Sequence, residues 1–162
     1  MAKINFKGLD DYIRALNKMK GDETVTIEKS VYVGAKVIAD AVKSGMSGIR
    51  TREDGHMYRN GEMAPGPTEQ EKRDMIASFG LAPMRNDSGY INTKAGFDGY
   101  GSHKTKSFKQ GVPNALVARS CESGTSWMKK QPFMRKAVNG SRQAAITAMK
   151  AKFDDEIKKQ MN

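Results

Sequence analysis

The sequence predicts an α+β fold, in which a small antiparallel sheet built on a β-hairpin is flanked by two long helices and two shorter ones. Apolar residues recur every three or four positions in several segments, which indicates amphipathic helices. Between residues 78 and 96, apolar and polar residues alternate around a turn sequence, which is typical of a hairpin. Long irregular loops separate these elements. At 162 residues, the chain 1–162 is expected to form a single domain.

Two amphipathic helices are predicted in the first third of the chain. The first has apolar residues on one face: Leu9, Tyr12, Ile13, Leu16 and Met19. The second has a similar stripe: Ile27, Val31, Ala35, Ile38 and Val42. Asp22 or Thr24 can cap the second helix, and Gly45 and Gly48 are expected to end it. Gly34, inside this helix, leaves room for another backbone to approach closely.

The middle of the chain combines a short helix, the hairpin and two loops. Thr68 and Glu71 form a capping box, which predicts that a short helix begins there. In the hairpin, residues 86–89 read Asn-Asp-Ser-Gly, a sequence that favours a turn. Residues 46–67 and 97–112 are expected to be mobile in the free protein, because their composition buries little apolar surface.

Two prolines mark helices in the last third. Pro113 can lead into a short helix, and Pro132 suits the first position of a long final helix, because the missing N–H would be unpaired there anyway. The acidic residues 154–156 lie near the end of that final helix, where the helix dipole disfavours them. A basic neighbouring surface would explain their placement.

Charge is distributed unevenly along the chain, whose net charge is +10. Residues 1–100 hold 15 basic and 14 acidic residues, whereas residues 101–162 hold 13 basic and 4 acidic ones. This asymmetry indicates either an acidic partner, of which nucleic acid is the obvious candidate, or a solvated surface. No apolar run approaches the ~20 residues of a membrane span, so no membrane association is expected.

The residues that commonly perform catalysis or bind metals form no recognisable pattern. Ser123 and Ser126 lack a nearby histidine and the Gly-x-Ser-x-Gly elbow of hydrolases. His56, His103 and Cys121 are too far apart in sequence for a known zinc motif, and Cys121 is expected in the core. No phosphate-binding loop or dinucleotide fingerprint is present. We therefore expect no catalytic, cofactor or metal site, and no enzyme activity.

Residues 122–137 are the most informative stretch, and read Glu-Ser-Gly-Thr-Ser-Trp-Met-Lys-Lys-Gln-Pro-Phe-Met-Arg-Lys-Ala. The pattern Glu-x-Gly-Thr-Ser, a short spacer and Pro-Phe-x-Arg-x-Ala resembles the signature of the tail-completion, or head–tail joining, proteins of long-tailed bacteriophages. Those proteins typically have an aromatic residue, a leucine and a second proline where this chain has Ser123, Met134 and Lys136. The order of the other segments is also similar, including Gly-Tyr-x-Asn-x-Lys-x-Gly-Phe at residues 89–97.

The resemblance implies a structural protein of virion assembly. It would be a subunit of a hexameric or dodecameric connector ring at the phage neck, which joins the DNA-filled head to the tail. Its partners would be copies of itself, head-completion proteins and tail-terminator or tail-tube proteins, with weak non-specific contact to DNA in the lumen. It would act in the host cytoplasm and then reside in the virion. The expected interface residues are Glu122, Gly124, Thr125, Trp127, Pro132, Phe133 and Arg135.

Two other functions compete with this interpretation. One is a sequence-independent nucleic-acid-binding module that uses the basic C-terminal third, although few aromatic residues there could stack on bases. The other is a small hydrolase whose site is assembled from distant residues. Of the three, the structural assembly protein agrees with the most features of the sequence.

Overall fold

The computed structural model describes residues 23–53, 58 and 60–161, and in this part of the chain four helices combine with two small two-stranded sheets. The helices are α1 (Glu23–Ser47), α2 (Glu69–Ser78), α3 (Asn114–Ser123) and α4 (Met134–Met161). The strands are β1 (Phe79–Leu81), β2 (Arg85–Asp87), β3 (Tyr90–Asn92) and β4 (Ala95–Phe97). The predicted α+β class is confirmed. The helix expected around residues 9–19 lies outside the described residues.

The predicted hairpin is present as two consecutive strand pairs. Strands β2 and β3 pair in antiparallel register with Asp87 opposite Tyr90, so that Ser88 and Gly89 form a two-residue turn. Both turn residues have positive φ, 56° and 90°, as a type I′ turn requires. The side-chain oxygen of Asn86 accepts a hydrogen bond of 2.8 Å from the Gly89 N–H. Turn chemistry in the sequence therefore determines where the hairpin reverses.

An irregular step separates the β2–β3 pair from the β1–β4 pair. Pro83 lies in this step, where its missing N–H costs no ladder hydrogen bond. Two bonds of 2.7 Å still bridge the step: the Ala82 N–H donates to the Lys94 carbonyl, and the Thr93 hydroxyl donates to the Ala82 carbonyl. The strand pairing of the hairpin is thus interrupted at Pro83, but these two hydrogen bonds still join its two sides.

The described residues divide into two compact units. The first consists of residues 23–40, Leu81–Ala95 and residues 140–161, and the second consists of Ala41–Gly80 and Gly96–Asn139. In the first unit, Ile91 of the hairpin packs with Ile27 of α1 and Phe153 of α4. Val31, Met84 and Ile157 surround this cluster. As predicted, the hairpin is flanked by the two long helices.

Gly34 explains how α1 and α4 approach each other within the first unit. A β-carbon built at Gly34 would overlap the Met149 side chain and would lie 3.3 Å from the Ala145 carbonyl oxygen. A larger residue would therefore displace the Met149 side chain and press against the Ala145 carbonyl. The close approach expected at this glycine is confirmed.

The second unit has a separate core, to which α2 and α3 contribute by packing against each other. Its buried apolar residues are Val42, Met46, Ile49, Ala64, Met75, Phe79, Val117, Ala118, Cys121, Met128 and Phe133. The rings of Phe79 and Phe97 pack with their centroids 5.0 Å apart. The prediction that Cys121 is a core residue is confirmed.

The end of α1 agrees with the prediction at Gly48, which directly follows the helix, and differs from it at Gly45. Helix α1 continues through Gly45, because this glycine accommodates the Phe133 backbone: a β-carbon there would lie 3.3 Å from the Phe133 carbonyl oxygen. The helix ends at Ser47, where the Lys72 ammonium donates bonds of 2.9 Å to the carbonyls of Ser47 and Ile49. Asp22 lies outside the described residues. Thr24 lies inside the helix rather than capping it.

None of the four helices in the described part of the chain has the long apolar stretch that crossing a bilayer requires.

Candidate interface at the 122–135 turn

Glu122 connects the end of α3 to the beginning of α4. Its carboxylate accepts hydrogen bonds from three successive backbone N–H groups, those of Phe133 at 2.8 Å, Met134 at 2.9 Å and Arg135 at 3.2 Å. The first N–H groups of a helix have no partner within the helix, and the helix dipole favours negative charge at that end. A side chain from α3 therefore caps α4, although Glu122 and Phe133, the first residue it bonds, are eleven positions apart in the sequence.

The final helix begins near Pro132, as predicted, but the proline does not occupy its first position. Helix α4 begins at Met134, and the Phe133 carbonyl accepts its first helical hydrogen bond, from the Ala137 N–H at 3.0 Å. Phe133 is therefore the cap residue, and Pro132 precedes it. The reason is that Glu122 satisfies the Phe133 and Met134 amides, so no proline is needed at the first helical position.

Gly124 and Thr125 form the tight turn after α3. Gly124 has φ +75°, and its N–H donates to the Ser120 carbonyl at 2.8 Å. A β-carbon at Gly124 would lie only 3.0 Å from the Lys130 backbone nitrogen. The Thr125 hydroxyl accepts from the Met128 N–H at 3.0 Å, and the Thr125 N–H donates to the Met128 carbonyl at 3.0 Å. The turn is therefore closed by its own backbone and by one side chain.

The residues after the turn pair with the loop that contains Ala64. The Ala64 N–H donates to the Trp127 carbonyl at 2.7 Å, and the Lys129 N–H donates to the Ala64 carbonyl at 2.9 Å. This forms a short parallel bridge centred on Met128, whose side chain is buried. The backbone from Trp127 to Lys129 is consequently held in place.

Gln131 makes a second attachment to that loop. Its side-chain oxygen accepts from the Arg50 N–H at 2.8 Å, and its amide nitrogen donates to the carbonyls of Arg50 at 3.0 Å and Pro65 at 2.7 Å. Its own N–H donates to the Cys121 carbonyl at 2.7 Å. Gly66 is required here, because a β-carbon would overlap the Arg50 carbonyl oxygen. One glutamine thus connects three segments of the second unit.

Trp127 is an exposed aromatic residue of the turn, with 47% of its surface accessible. The guanidinium carbon of Arg52 lies 5.2 Å from the centre of its ring, which is a cation–π contact. Arg52 is itself fixed by bonds to the Gly66 carbonyl at 3.1 Å and to the Glu71 carboxylate at 3.3 Å. One face of the Trp127 ring therefore contacts a cation whose position is fixed by hydrogen bonds.

Glu71 is the buried centre of this network. It accepts from the Thr68 N–H at 2.9 Å, which completes the predicted capping box, and its other oxygen lies 2.8 Å from Nδ1 of His103. Burial alone would raise the pKa of Glu71, but the bonds from Thr68 and His103 and the charge of Arg52 lower it below 4.5. The carboxylate is therefore ionised at neutral pH. Burial and the nearby Glu71 charge raise the pKa of Cys121 to about 12, so that its thiol is unreactive.

The expected interface residues lie together in this turn but differ in exposure. Phe133 is only 5% exposed and belongs to the core. Intermediate exposure is shared by four of the others: Glu122, Gly124, Thr125 and Pro132. Only Trp127 and Arg135 are exposed. Of the seven expected interface residues, five are therefore wholly or partly buried and two are exposed to solvent.

The segment of the chain that contains the turn is strongly basic. Residues 101–139 contain eight basic residues and one acidic residue, and all eight basic residues are exposed. They are Lys104, Lys106, Lys109, Arg119, Lys129, Lys130, Arg135 and Lys136. The single acidic residue, Glu122, is occupied by backbone amides. Within the described residues no carboxylate forms an ion pair with any of the eight.

The acidic cluster near the end of α4 is neutralised, in contrast, within the first unit. Glu156 bonds to Lys29 of α1 at 2.6 Å and to Lys152 at 2.8 Å, and Asp155 bonds to Lys159 at 2.6 Å. The hydrogen bonds from Lys152 and Lys29 lower the pKa of Glu156 to about 2. The basic neighbour expected for this cluster is thus Lys29, together with lysines of α4 itself.

The sequence did not indicate which residues support the turn. Arg52, His103 and Gln131 occupy irregular segments, and the only sequence signal was the capping box that contains Glu71.

Within residues 23–53, 58 and 60–161, no group of three or more histidine, cysteine, aspartate or glutamate side chains could hold a metal ion. No family model, curated protein or solved structure matches the chain.

Proposed function

We propose that this protein is a structural subunit of the oligomeric ring at the neck of a long-tailed bacteriophage, where it joins the head to the tail during virion assembly. One observation carries the proposal. The residues of the resemblance, 122–137, form an internally bonded turn that leaves Trp127 and Arg135 exposed. A rigid turn with an exposed aromatic and an exposed arginine suits a protein contact better than a reaction centre.

The rigidity of the turn favours binding. Association costs free energy whenever side chains and loops must be ordered, so a contact surface that is already fixed retains more of its interaction energy. Here the Trp127 carbonyl and the Lys129 N–H are both hydrogen-bonded to Ala64. Tryptophan and arginine are also the residues most often found to dominate binding energy at protein interfaces.

Arg135 is the clearest candidate for a contact between subunits. Its backbone N–H is fixed by Glu122, whereas its side chain is exposed and forms no ion pair with a described carboxylate. A guanidinium offers five donors in a planar arrangement and can make several directed bonds across a contact. In a ring, the same patch of each subunit would bind a different patch of the next subunit.

The experiment is native mass spectrometry of the wild type, Arg135→Ala and Arg119→Ala, accompanied by thermal unfolding. Arg119→Ala is the matched control, because this arginine is also exposed but lies on α3 outside the turn. We expect a ring for the wild type and for the control, loss of the ring for Arg135→Ala, and the same melting temperature for all three. A wild type that stays monomeric at every concentration, or an Arg135→Ala variant that assembles normally, contradicts the proposal.

The exposed basic residues of 101–139 favour a second candidate, a sequence-independent nucleic-acid-binding module. A neck ring must let DNA pass, so we expect only weak binding that is indifferent to sequence and falls steeply with salt. Titration with unrelated DNA duplexes at low and physiological salt distinguishes the two functions. Tight binding that survives physiological salt would favour the nucleic-acid module over the neck ring.

A further inference from the structure

Residues 100–111 of the second unit form a closed polar loop, which we name the lysine loop. At its base, the Gly101 N–H donates to the Val112 carbonyl at 2.8 Å, and the Val112 N–H donates to the His103 carbonyl at 3.0 Å. Gly111 has φ +114°, and a β-carbon there would overlap the Gly101 carbonyl oxygen. The two ends of the loop are therefore in direct contact, as in other compact surface loops.

The tip of the lysine loop is also internally bonded. The Thr105 N–H donates to the Phe108 carbonyl at 3.1 Å, and the Phe108 N–H donates to the Thr105 hydroxyl at 3.1 Å. The Gly111 N–H donates to the same Phe108 carbonyl at 3.1 Å. Because these bonds already shape the backbone, binding a partner requires less ordering of the loop.

Two carboxylates of α2 attach the lysine loop to the rest of the second unit. One oxygen of Asp74 accepts from both the N–H and the hydroxyl of Ser102, each at 2.7 Å. One oxygen of Glu71 lies 2.8 Å from Nδ1 of His103. Both carboxylates are thus occupied by the base of the loop, and neither forms an ion pair with its lysines.

Three exposed lysines give the loop its charge. Lys104, Lys106 and Lys109 are all exposed, and none of them forms an ion pair with a carboxylate in the described part of the chain. Residues 100–111 contain no acidic residue. Asp98, which precedes the loop, accepts a backbone N–H at 2.8 Å. The loop therefore presents a local cluster of positive charge, which favours an anionic partner.

The residue types of the loop favour nucleic acid over an acidic protein. Protein interfaces typically have an apolar centre, whereas the apolar residue at the tip of this loop, Phe108, is half-buried. Phosphate oxygens are bound by lysines and by hydroxyl groups. Besides its lysines, the loop exposes Ser107 and, at its base, Tyr100, which is 59% exposed. It contains no arginine, whose planar guanidinium makes the bidentate contacts typical of base recognition.

We infer that the lysine loop binds the phosphate backbone of DNA without regard to base sequence. Lys104, Lys106 and Lys109 each contact a phosphate. The inference deepens the proposed function and rests on it for the setting, because a neck ring must let DNA pass. It assigns the contact with DNA to one loop, separate from the turn that is proposed to bind protein.

The experiment measures the binding of two labelled DNA duplexes of unrelated sequence by fluorescence anisotropy, between about 50 and 200 mM salt. Three phosphate contacts predict a slope of about −2.7 in a plot of log affinity against log salt concentration, so affinity should fall about fortyfold over this range. Both duplexes should bind equally. Polyglutamate of equal charge is the reference polyanion and should bind more weakly than DNA.

Two triple variants separate a contact at the loop from the effect of net charge. Each replaces three exposed lysines with glutamine, in the loop or in the segment that contains the turn. They are Lys104→Gln/Lys106→Gln/Lys109→Gln and, as the matched control, Lys129→Gln/Lys130→Gln/Lys136→Gln. The loop variant should lose most of the salt dependence and bind DNA more than about tenfold more weakly at about 50 mM salt. The control should lose less than about threefold, and both should keep the melting temperature of the wild type.

Weakened binding and a shallow salt dependence in the loop variant alone, with equal binding of both duplexes, support the inference. Equal losses in the two variants, unequal binding of the duplexes, equal or tighter binding of polyglutamate, or no DNA binding by the wild type at about 50 mM salt overturn it. Native mass spectrometry reports separately on the ring. A ring that binds no DNA rejects only this inference, and a protein that binds DNA through the loop but never assembles rejects only the neck-ring proposal.

Discussion

Replacement of Glu122 tests whether one carboxylate really holds the turn together. The Glu122→Ala variant loses three hydrogen bonds of 2.8–3.2 Å to the N-terminus of α4. Losing a helix cap costs about 0.5–2 kcal/mol, and losing a negative charge at a helix N-terminus costs about 0.3–1 kcal/mol. Unpaired amides near Phe133 add to this, so we expect the free energy of unfolding to fall by about 2–3 kcal/mol.

Glu122→Gln separates the charge from the hydrogen bonds. Glutamine keeps one oxygen that can accept from the Phe133 and Met134 amides, so we expect a loss of only about 1 kcal/mol. The matched control is Glu53→Ala, which removes an exposed glutamate from the same unit and should change stability by less than about 0.5 kcal/mol.

The assay is urea unfolding followed by circular dichroism, combined with hydrogen exchange. In Glu122→Ala the amides of Phe133, Met134 and Arg135 should exchange faster, while those in the middle of α4 keep their protection. Two outcomes would refute the reasoning: stability within about 0.5 kcal/mol of the wild type, a difference typical of neutral surface changes, or undiminished protection of these amides.

Three further predictions concern the same unit and its neighbourhood. Phe133→Ala should lower the free energy of unfolding, measured with urea, by about 3–5 kcal/mol, because its ring is buried. A smaller decrease than that of Glu122→Ala would show that the surrounding residues close the cavity or tolerate it. Gly124→Ala should destabilise the protein by about 1–3 kcal/mol, because φ is +75° at this residue. Gly140→Ala is the control: this glycine lies in a helix with free space around it, so alanine should stabilise the protein by about 0.5–1 kcal/mol. Equal effects of the two substitutions would contradict the backbone strain assigned to Gly124. Because the pKa of Glu71 in the folded protein lies below 4.5, the ionised carboxylate stabilises the fold above that pH, and this stabilisation is lost as pH falls through the folded pKa. The urea midpoint of Glu71→Gln should therefore decrease less on acidification than the urea midpoint of the wild type.

Features encoded by neighbouring residues could be predicted from the sequence. The Thr68–Glu71 capping box, the two-residue turn of the hairpin and the apolar stripe of α1 all depend on residues a few positions apart. Each involves a local backbone preference or a single face of one helix. The structure confirms them because nothing distant competes with these preferences.

Features decided by distant residues could not be predicted. Gly45 has the character of a helix stop, yet α1 passes through it because Phe133 packs there. Pro132 has the character of a helix start, yet α4 begins two residues later because Glu122 caps it. The contact of Arg52 with Trp127 joins positions seventy-five residues apart, and no periodicity or motif in the sequence indicates it.

The division of the turn into supporting and exposed residues changes what the resemblance to neck proteins means for this chain. Glu122 caps a helix, Gly124 adopts a left-handed conformation and Phe133 fills a core, so each has a sufficient reason to be present without any partner. Changes at these positions should lower stability first and binding only as a consequence. Trp127 and Arg135 make no comparable contribution to the core, so changes there should affect binding with little loss of stability. The proposed interface therefore includes fewer residues than the motif. The other residues of the motif stabilise the turn on which Trp127 and Arg135 are exposed.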